Sequence, residues 1–394
     1  MAREEFIAKL IHLHAGDGCP IHVAAAMVKP DKRGKTRVVS GRGASAEEAE
    51  QRCIAEAAER HGAVFDSDHS LVYASLDELG MSAVPPSSLL LISEAQYVSA
   101  AAWNQMVETD HHLPAPFDRK ARIAWAAAKQ AAVSEAVYVP AAHVYLGYPD
   151  AFREGFPVPD SSGLAAGDSF ATALDRAILE LIERDAVAIW WYSRALRPEL
   201  QIEPGEIPLL GEFADWVRRA GRRFWILDLS HDLCLPVAAA ISCDGNGRNL
   251  SFGFGAGRNR WEAVTSALGE LVQFDLTKKL QAGQKSFPPL HFLNWCGTAT
   301  IEDHSFLRPH ATLRGSDRIG SDPAAALLHA DLRPLFVDLS QQAGKMHVVR
   351  AIVPGLRPIW SRFAPGRLYD VPFRLGWHPY KLTESELNPM PILY

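Results

Sequence analysis

Three glutamates in this sequence each follow a glycine at a distance of thirteen residues: Gly43 and Glu56, Gly167 and Glu180, and Gly257 and Glu270. An alanine lies seven residues before each glutamate, and an aliphatic residue lies two before it. A second acid or its amide follows three residues after each glutamate: Glu59, Glu183 and Gln273. A single pair of acids at this spacing usually forms a solvated helix face. Three aligned copies instead indicate an internal repeat whose units share a role.

The chemistry of these motifs follows from their charge. Five carboxylates in one cavity would raise one another's pKa unless cations lay between them. Magnesium takes oxygen ligands and commonly bridges carboxylates to nucleotide phosphates. Arg60 and Arg184 each follow a second acid and are suited to bind phosphate oxygens. The motifs therefore predict a Mg-ATP site, with a structural Glu–Arg lattice between equivalent helices as the alternative. The predicted metal ligands are Glu56, Glu59, Glu180, Glu183 and Glu270.

Each acidic motif has the sequence pattern of a strand followed by a helix. The three segments, 38–62, 162–194 and 252–278, begin with apolar runs that contain glycine, which is typical of strands approached closely by another backbone or a ligand. A polar residue then opens the helix. The candidate N-caps are Ser45, Asp168 or Ser169, and Asn259. In the first helix the acid and the arginine share a face with two small residues, which favours a polar ligand over a hydrophobic contact.

Composition allows one large fold and excludes several classes of function. The 394 residues are 48% hydrophobic, so the chain can bury a substantial core, and the repeats favour one composite body. The net charge of −6 argues against nucleic acid as a partner. No apolar run reaches the roughly twenty residues that span a membrane, and the acidic first residues do not fit a secretory signal. Five cysteines without a C-x-x-C pair predict reduced thiols and a cytoplasmic protein.

Between the motifs the chain has a mixed α and β pattern. Strands are predicted at Leu89–Ser93, Val137–Leu146, Phe224–Leu229, Pro236–Cys243 and His347–Pro354. Helices are predicted at Pro208–Ala220 and Asp322–Leu332. Residues 103–120 and 284–320 are less regular and are predicted to be loops that cover a site.

Other familiar site motifs are absent. There is no G-x-x-x-x-G-K-[ST] phosphate loop, so a nucleotide would be held in another way. The glycine-rich run 253–257 lacks the full dinucleotide-binding pattern. His111 and His112 have no cysteine or H-E-x-x-H helix nearby, which favours a plain surface position over a zinc site. No histidine has a local arrangement that would indicate a catalytic triad.

The three motifs together resemble the YcaO family. The resemblance rests on the segments 40–60, 162–185 and 255–273, and it extends over nearly the whole chain. It implies an α+β fold in which pseudo-repeated strand-helix units and mixed or antiparallel sheets surround a central ATP site. It also implies a single catalytic domain over residues 1–394, with a proline-containing C-terminal tail at 379–394. Trp190-Trp191-Tyr192, Val353-Pro354-Gly355-Leu356 and the tail are similar to the branch that forms azolines.

The resemblance also implies particular site residues. ATP and Mg²⁺ are the expected cofactors, and the tail is expected to lie near the reacting groups. The expected cofactor-binding residues are Arg52, Glu56, Glu59, Arg60, Asp168, Glu180, Glu183, Arg184, Ser266, Glu270 and Gln273. The expected catalytic residues are Tyr394, Pro389 and Pro391.

The activity implied by the resemblance is ATP-dependent activation of peptide amides. In the azoline-forming branch, Cys, Ser and Thr of a ribosomally made precursor peptide are cyclodehydrated to thiazolines and oxazolines, as in bacteriocin biosynthesis. The chain has no evident peptide-recognition domain, so a leader-binding partner that resembles ubiquitin-activating enzymes is expected. A flavin-dependent dehydrogenase and a homodimer are left open as further associations. Thioamide formation with a TfuA-type partner and a non-catalytic ATP-binding scaffold are the alternative functions.

Three positions depart from the family pattern. Arg52 stands where the family often has serine, Ser266 where it often has arginine, and Thr172 where glutamate is frequent. Arg52 and Ser266 both lie four residues before the first glutamate of their motifs. We therefore consider a compensating exchange, in which Arg52 serves the phosphate region. The alternative is that Arg52 pairs with Glu48 or Glu56 on its own helix.

Overall fold

The strands of this protein form three separate sheets. The computed structural model describes residues 6–30, 34–130, 133–200, 202–203, 205–282, 291–313, 322–340 and 346–392. Within these ranges the strands are β1 (Ile7–Leu13), β2 (His22–Val28), β3 (Arg37–Gly43), β4 (Val72–Ala74), β5 (Ile123–Gln130), β6 (Val133–Pro140), β7 (Leu164–Gly167), β8 (Arg197–Leu200), β9 (Arg222–Asp228), β10 (Val237–Asp244), β11 (Ser251–Ala256), β12 (Pro309–Leu313), β13 (Leu335–Asp338) and β14 (His347–Ile352).

The helices lie between these strands in an α+β order. They are α1 (Ala46–Gly62), α2 (Leu76–Leu79), α3 (Ser87–Leu90), α4 (Glu94–Met106), α5 (Ala141–Val144), α6 (Phe170–Ser193), α7 (Pro208–Arg219), α8 (Arg260–Ala282), α9 (His291–Thr298), α10 (Pro323–His329) and α11 (Arg367–Arg374). Among the residues that the structure describes, no helix combines the length and apolar character needed to span a bilayer.

Each acidic motif contributes the edge strand of a different sheet. The sheet orders are β1-β2-β3, β4-β5-β13-β14-β7 and β11-β10-β9-β8-β12, and β6 pairs with β5 outside the second order. The described pairings are antiparallel except that β8 and β12 are parallel. Because β3, β7 and β11 lie at sheet edges, the helix that follows each strand can pack beside a neighbouring repeat. The expected mixed and antiparallel arrangement is confirmed.

Glycine allows the motif helices to lie directly on their strands. A Cβ atom on Gly41 would lie 2.2 Å from the backbone nitrogen of Cys53 in α1, and one on Gly255 would lie 2.1 Å from the carbonyl oxygen of Ala263 in α8. The glycine-rich run at 253–257 therefore serves helix packing on β11, as the expectation of a close backbone approach requires.

The motif helices begin where the polar residues predict. Ser45 accepts a hydrogen bond from the Glu48 backbone nitrogen, and Ser169 accepts one from Thr172. In the third motif the Asn259 side chain accepts from Glu262 at 2.9 Å. The choice between Asp168 and Ser169 thus falls on Ser169, because Asp168 lies one residue too early to cap α6.

The strands and helices predicted between the motifs are confirmed except at two places. The strands predicted at 224–229, 236–243 and 347–354 correspond to β9, β10 and β14, and the predicted helices correspond to α7 and α10. The strand predicted at Leu89–Ser93 is wrong, because α3 ends there at Leu90 and is capped by Leu91, which adopts a left-handed φ of 50°. The strand predicted at Val137–Leu146 ends at Pro140, and α5 follows.

The segments expected to be loops contain regular structure. Residues 103–106 belong to α4, and Thr109–His111 forms a 3₁₀ turn. In the second segment, α9 and β12 replace part of the expected loop. Residues 284–290 and 314–320 lie outside the described residues.

The largest hydrophobic cluster surrounds the second half of α6. Trp190, Trp191 and Tyr192 are fully or almost fully buried there, and Phe252 and Phe306 pack against Trp191. This cluster fixes the carboxyl half of α6, so the acids in its middle are carried on a rigid element. Cys53, Cys243 and Cys296 are buried free thiols, as expected for core positions, whereas Cys234 is exposed.

Candidate functional site

The three acidic helices line one cavity of about 790 Å³, which we call the acidic cavity. All five motif glutamates contribute to its lining: Glu56, Glu59, Glu180, Glu183 and Glu270. Equal spacing from strand to acid places the first glutamate of each motif at the same point in its unit. The predicted convergence of the three motifs is therefore present in the fold.

Each first glutamate is held by a backbone N–H of its own motif strand or the residue just before it. Glu56 Oε2 accepts from Ser40 at 3.4 Å, and Glu180 Oε2 accepts from Gly163 at 3.0 Å. Glu270 Oε2 accepts from the backbone nitrogen of Phe254. The three bonds orient one carboxylate per repeat toward the same space. Such preorganisation is what a site for a charged ligand requires.

In the second and third motifs, the residue three positions after the first glutamate forms hydrogen bonds with a neighbouring repeat. Glu183 Oε2 accepts from the backbone nitrogen of Ala256 in β11 at 2.9 Å. Gln273 Nε2 donates to Ser40 Oγ at 2.6 Å, and Gln273 Oε1 accepts from Arg42 Nη1 at 2.8 Å. The repeats are thus joined by hydrogen bonds within the cavity wall.

Arginines offset part of the negative charge of the acidic cavity. Arg184 Nη2 lies 2.7 Å from Glu180 Oε1, and Arg60 Nη2 lies 3.3 Å from Glu56 Oε1. Burial, with the nearby charge of Glu180, holds the pKa of Glu59 well above its ordinary value. A cation that entered the cavity would lower this pKa again, because it would stabilise the charged carboxylate.

The carboxylates that line the acidic cavity fit a magnesium ion that is also bound by the phosphate oxygens of a nucleotide. Among the described residues, no three His, Cys, Asp or Glu side chains form a preformed metal cluster. Mg²⁺ is commonly bound by one or two carboxylates together with phosphate oxygens, so carboxylates around an open cavity suit it better than a closed cage. Burial first, and then the charge of Glu180, raises the pKa of Glu59, and a cation bound among these carboxylates would oppose both effects. Glu56, Glu180 and Glu270 line this open cavity, and a backbone N–H group orients each carboxylate.

Ten of the eleven predicted cofactor-binding residues line the acidic cavity. They are Arg52, Glu56, Glu59, Arg60, Glu180, Glu183, Arg184, Ser266, Glu270 and Gln273. Asp168 is not brought to this cavity. It is exposed in the turn between β7 and α6, because Ser169 takes the N-cap position and the helix carries the acids away from that turn.

Arg52 forms the ion pair on its own helix that the sequence allowed, and it also lies in the cavity wall. Its Nη2 lies 2.5 Å from Glu48 Oε1 on α1, and the side chain also lines the acidic cavity. Partial desolvation in the cavity wall, followed by the charges of Arg42 and Arg176, lowers the pKa of Arg52, although its side chain is 52% exposed. Ser266 lines the same cavity, so the two departures from the family pattern face a common space.

The sequence interpretation overlooked two arginines of the cavity wall. Arg42 lies on β3 just before Gly43, and Arg176 lies on α6 four residues before Glu180. Arg176 therefore occupies in the second repeat the position that Arg52 occupies in the first. An alignment of the three motifs indicates Arg176 as a site residue, because it places Arg52, Arg176 and Ser266 at the same position.

A second group of missed residues closes another side of the acidic cavity. Asp160 and Trp360 both line it, and Trp360 Nε1 donates to Asp160 Oδ2. The predicted surface position of His111 is wrong, because its ring is buried and lies 5.0 Å from that of Trp360. Burial lowers the pKa of His111 to about 4, so it is neutral near pH 7. Asp110, next to it, lines the cavity.

The described tail packs against the end of α6. Asn388 donates its backbone N–H to the Tyr192 carbonyl oxygen at 2.8 Å, and Trp191 Nε1 donates to the Met390 carbonyl oxygen at 2.7 Å. Pro391 is buried and Pro389 is exposed. Neither proline is among the residues that line the acidic cavity. Tyr394 lies outside the described residues, and the catalytic role of the tail stays a prediction.

The fold is shared with solved heterocyclases. It aligns with a heterocyclase solved in complex with substrate and cofactor at 30% identity and a TM-score of 0.88, over 98% of this chain and 55% of that one. It aligns with the heterocyclase TruD at 30% identity and a TM-score of 0.76, over 89% of this chain and 51% of that one. The chain thus spans about half the length of these two heterocyclases.

The sequence is also similar to that of an uncharacterized protein, and it matches the model of a protein family. A protein of Rhizobium leguminosarum bv. trifolii, described as an uncharacterized protein in the tfuA 3′ region, is 25% identical over 257 residues, which are 59% of this chain and 61% of that protein. Residues 40–357 match the model described as YcaO cyclodehydratase, ATP- and Mg²⁺-binding. This match covers most of the chain, so the protein belongs to the YcaO family.

Proposed function

We propose that this protein is an ATP-dependent peptide cyclodehydratase. Its substrates are Cys, Ser and Thr residues of a ribosomally made precursor peptide, and its products are thiazolines and oxazolines. Membership of the YcaO family and the likeness to two heterocyclases support this proposal. The observation that carries it is the convergence of five glutamates from three equivalent helices on one cavity whose wall also carries arginines.

The chemical problem is that an amide oxygen is a poor leaving group. Bound Mg-ATP supplies the phosphoryl group that turns this oxygen into phosphate. The substrate side chain forms its S–C or O–C bond to the preceding carbonyl carbon, and the original C–O bond breaks. The amide nitrogen loses its proton and forms the C=N bond of the ring. The Cys, Ser or Thr side chain also loses its S–H or O–H proton, so the balanced products are the azoline, ADP, inorganic phosphate and a released proton.

The residues of this chain contribute positioning and charge. Glu56, Glu180 and Glu270 are proposed to hold the cation, since each carboxylate is already oriented by a backbone N–H. Arg42 and Arg176, which line the same cavity, are proposed to bind phosphate oxygens. Holding reactants in a fixed geometry supplies a large share of such a rate enhancement.

The precursor is proposed to reach this site with the help of a partner. The two heterocyclases are nearly twice as long as the segment that aligns with this chain. We infer that a leader-binding protein resembling ubiquitin-activating enzymes performs the recognition step. A flavin-dependent dehydrogenase is a further candidate partner, which would oxidise azolines to azoles.

Thioamide formation is a second candidate function. It is favoured by the relative from the tfuA 3′ region. Both reactions would use the same acidic cavity to activate an amide oxygen, and they differ in the atom that replaces this oxygen. An intramolecular side chain gives a ring, whereas an external sulfur donor gives a thioamide.

Mass spectrometry of a precursor peptide incubated with the protein and Mg-ATP tests the proposal. Cyclodehydration removes about 18 Da per residue, whereas exchange of oxygen for sulfur adds about 16 Da. Glu180→Gln serves as the inactive control, and Glu47→Gln, at an exposed position of α1, serves as the matched active control. A gain of about 16 Da favours the second candidate. An unmodified peptide in the presence of its leader-binding partner contradicts both.

A further inference from the structure

A second cavity, of about 80 Å³, lies beside the acidic cavity and is lined by buried arginines. We call it the arginine cavity. Arg350, Arg357 and Arg362 are each 2% exposed, and all three line it. Asp160, Arg184 and Trp360 line both cavities and form their common wall. Three buried guanidinium groups around a small space are costly unless anions accompany them.

The carboxylate of this cavity does not neutralise the three arginines. Arg350 Nη2 lies 3.7 Å from Asp160 Oδ1. Asp160 also accepts hydrogen bonds from the Ser162 backbone nitrogen and from Trp360 Nε1, so its oxygens are already engaged. Asp160 is the one carboxylate among the described lining residues. The described lining of the arginine cavity therefore includes four arginines and one carboxylate, while Glu59 and Glu180 near Arg350, and Asp185 near Arg357, offset part of this charge from outside the cavity.

Arg362 is the least compensated of the three. Its Nη1 donates weakly to the Ser361 carbonyl oxygen at 3.4 Å, and its Nη2 has no hydrogen-bond partner among the described residues. Within the same part of the chain, Arg362 forms no ion pair with a carboxylate. Burial lowers its pKa to about 10, so it stays charged at neutral pH. A buried charge of this kind calls for a ligand of opposite sign.

Two further polar groups lack partners at the same place. Arg350 Nε and Ser162 Oγ are buried and make no hydrogen bond within the described structure. Arg357, by contrast, donates to the carbonyl oxygens of Ala364 and Arg362, so it adds charge and fixes the cavity wall. The unused donors are Arg350 Nε, Arg362 Nη2 and the Ser162 hydroxyl, and guanidinium and hydroxyl groups together suit a tetrahedral oxyanion.

We propose that the arginine cavity binds inorganic phosphate. A cavity needs about 10–15 Å³ for each water-sized group, so its 80 Å³ accommodates roughly five to eight such groups, close to the five heavy atoms of phosphate. A nucleotide or a peptide segment is too large for it. The wall shared with the acidic cavity places it where phosphate released from a nucleotide would be received. This origin of the phosphate rests on the proposed function, whereas the binding itself does not.

Calorimetric titration of the full chain with inorganic phosphate, without peptide, tests the proposal. We expect phosphate to bind equally well when saturating Mg²⁺ and a non-hydrolysable ATP analogue fill the acidic cavity. Arg362→Met should weaken phosphate binding at least tenfold, and Arg362→Lys, which keeps the charge but loses the fork, should weaken it less. Arg153→Met removes an exposed arginine and should leave phosphate affinity unchanged.

The alternative outcomes are distinct. Wild-type phosphate affinity in a folded Arg362→Met protein overturns the proposal, as does complete displacement of phosphate by the ATP analogue. Equal or tighter binding of acetate would identify a carboxylate as the occupant and overturn the assignment to phosphate. If Arg362→Met does not fold, unchanged affinity in Arg362→Lys and in Ser162→Ala together overturns it. Because the titration needs neither turnover nor precursor, its failure is separable from a failure of the proposed activity.

Discussion

The backbone N–H of Ala256 donates to Glu183 Oε2 at 2.9 Å, and this bond joins the strand of the third repeat to the helix of the second. The same relation continues around the molecule. α1 contacts β7, α6 contacts β11, and α8 contacts β3, so each motif helix packs on the strand of another repeat in a closed cycle. This cyclic packing explains why the first glutamates of the three motifs, 90 or more residues apart in the sequence, face one cavity.

Replacing Glu180 by Gln tests the role of the first glutamate of the second motif. The amide keeps the size of the side chain and an oxygen that can accept from Gly163, but it removes the charge. We expect ATP turnover to fall roughly a hundredfold or more, as when a preorganised charge-stabilising group is lost. Circular dichroism and thermal melting should show a folded protein. A grossly unfolded variant would support the structural Glu–Arg lattice instead.

The raised pKa of Glu59 predicts a specific pH dependence. A carboxyl group whose pKa is raised by folding favours the folded state at low pH, and this contribution is lost as the pH rises through the raised value. The ligand-free protein should therefore lose melting temperature over that pH range, and Glu59→Gln should lose less. Adding Mg²⁺ and nucleotide should reverse the loss, because the cation favours the charged carboxylate.

Proton release provides an independent measurement of the same effect. If Glu59 is protonated before the cation enters, binding of Mg-nucleotide must expel a proton. Titration calorimetry in buffers with different ionisation enthalpies reports the number of protons released. The number should be smaller in Glu59→Gln than in the unmodified protein. Equal numbers in both proteins would contradict the interpretation.

The motif units were predictable because their signals are local. A glycine-containing strand, an N-cap such as Ser45 and a helix carrying acids at fixed positions all lie within about twenty-five residues. Three copies then imply equivalent places in three equivalent units. The error at Leu89–Ser93 has the opposite cause, since a short apolar run indicates burial without a period that separates strand from helix.

The other residues of the site are brought together by long-range contacts, which the spacing of residues in the sequence does not indicate. Trp360 bonds to Asp160 across two hundred residues, and His111 packs on the same indole ring. Arg362 lies close to Asp160 and Trp360 in space, but nothing in its local sequence indicates a buried cation. Such residues become visible only once the sheets and the closed cycle of repeats are assembled.

The pair formed by Asp185 and Arg367 should contribute strongly to stability. Asp185 is fully buried next to Arg184, and Arg367 Nη2 lies 2.6 Å from its Oδ2. The same carboxylate accepts from the Arg357 backbone nitrogen at 2.7 Å. Arg367→Met leaves this charge without its main partner, so we expect a loss of about 3–5 kcal/mol in unfolding free energy. Denaturant titration measures it, with the exposed Arg153→Met as control.

The tail allows a test that separates catalysis from packing. Ile392 is fully buried and Pro391 is buried beside it, so removing residues 391–394 should lower the melting temperature. Removing residues 393–394 alone takes away Tyr394 and keeps the buried Pro391 and Ile392. We expect this shorter deletion to suppress cyclisation more than it weakens ATP binding. Full activity after it would count against a catalytic role of Tyr394.

The exchange between Arg52 and Ser266 can be tested by a double-mutant cycle. Arg52 lines the acidic cavity but also pairs with Glu48 on its own helix, so its contribution to nucleotide binding is the open quantity. If Arg52 replaces the arginine that Ser266 lacks, Arg52→Ser should weaken ATP binding by about 1–2 kcal/mol, roughly five- to thirtyfold. Ser266→Arg in that background should restore much of the affinity, which gives a coupling energy well above the error of additivity. Glu48→Gln, which removes the competing partner but no cavity charge, is the matched control. An ATP affinity that does not change in Arg52→Ser would leave Arg52 as a residue of the helix surface.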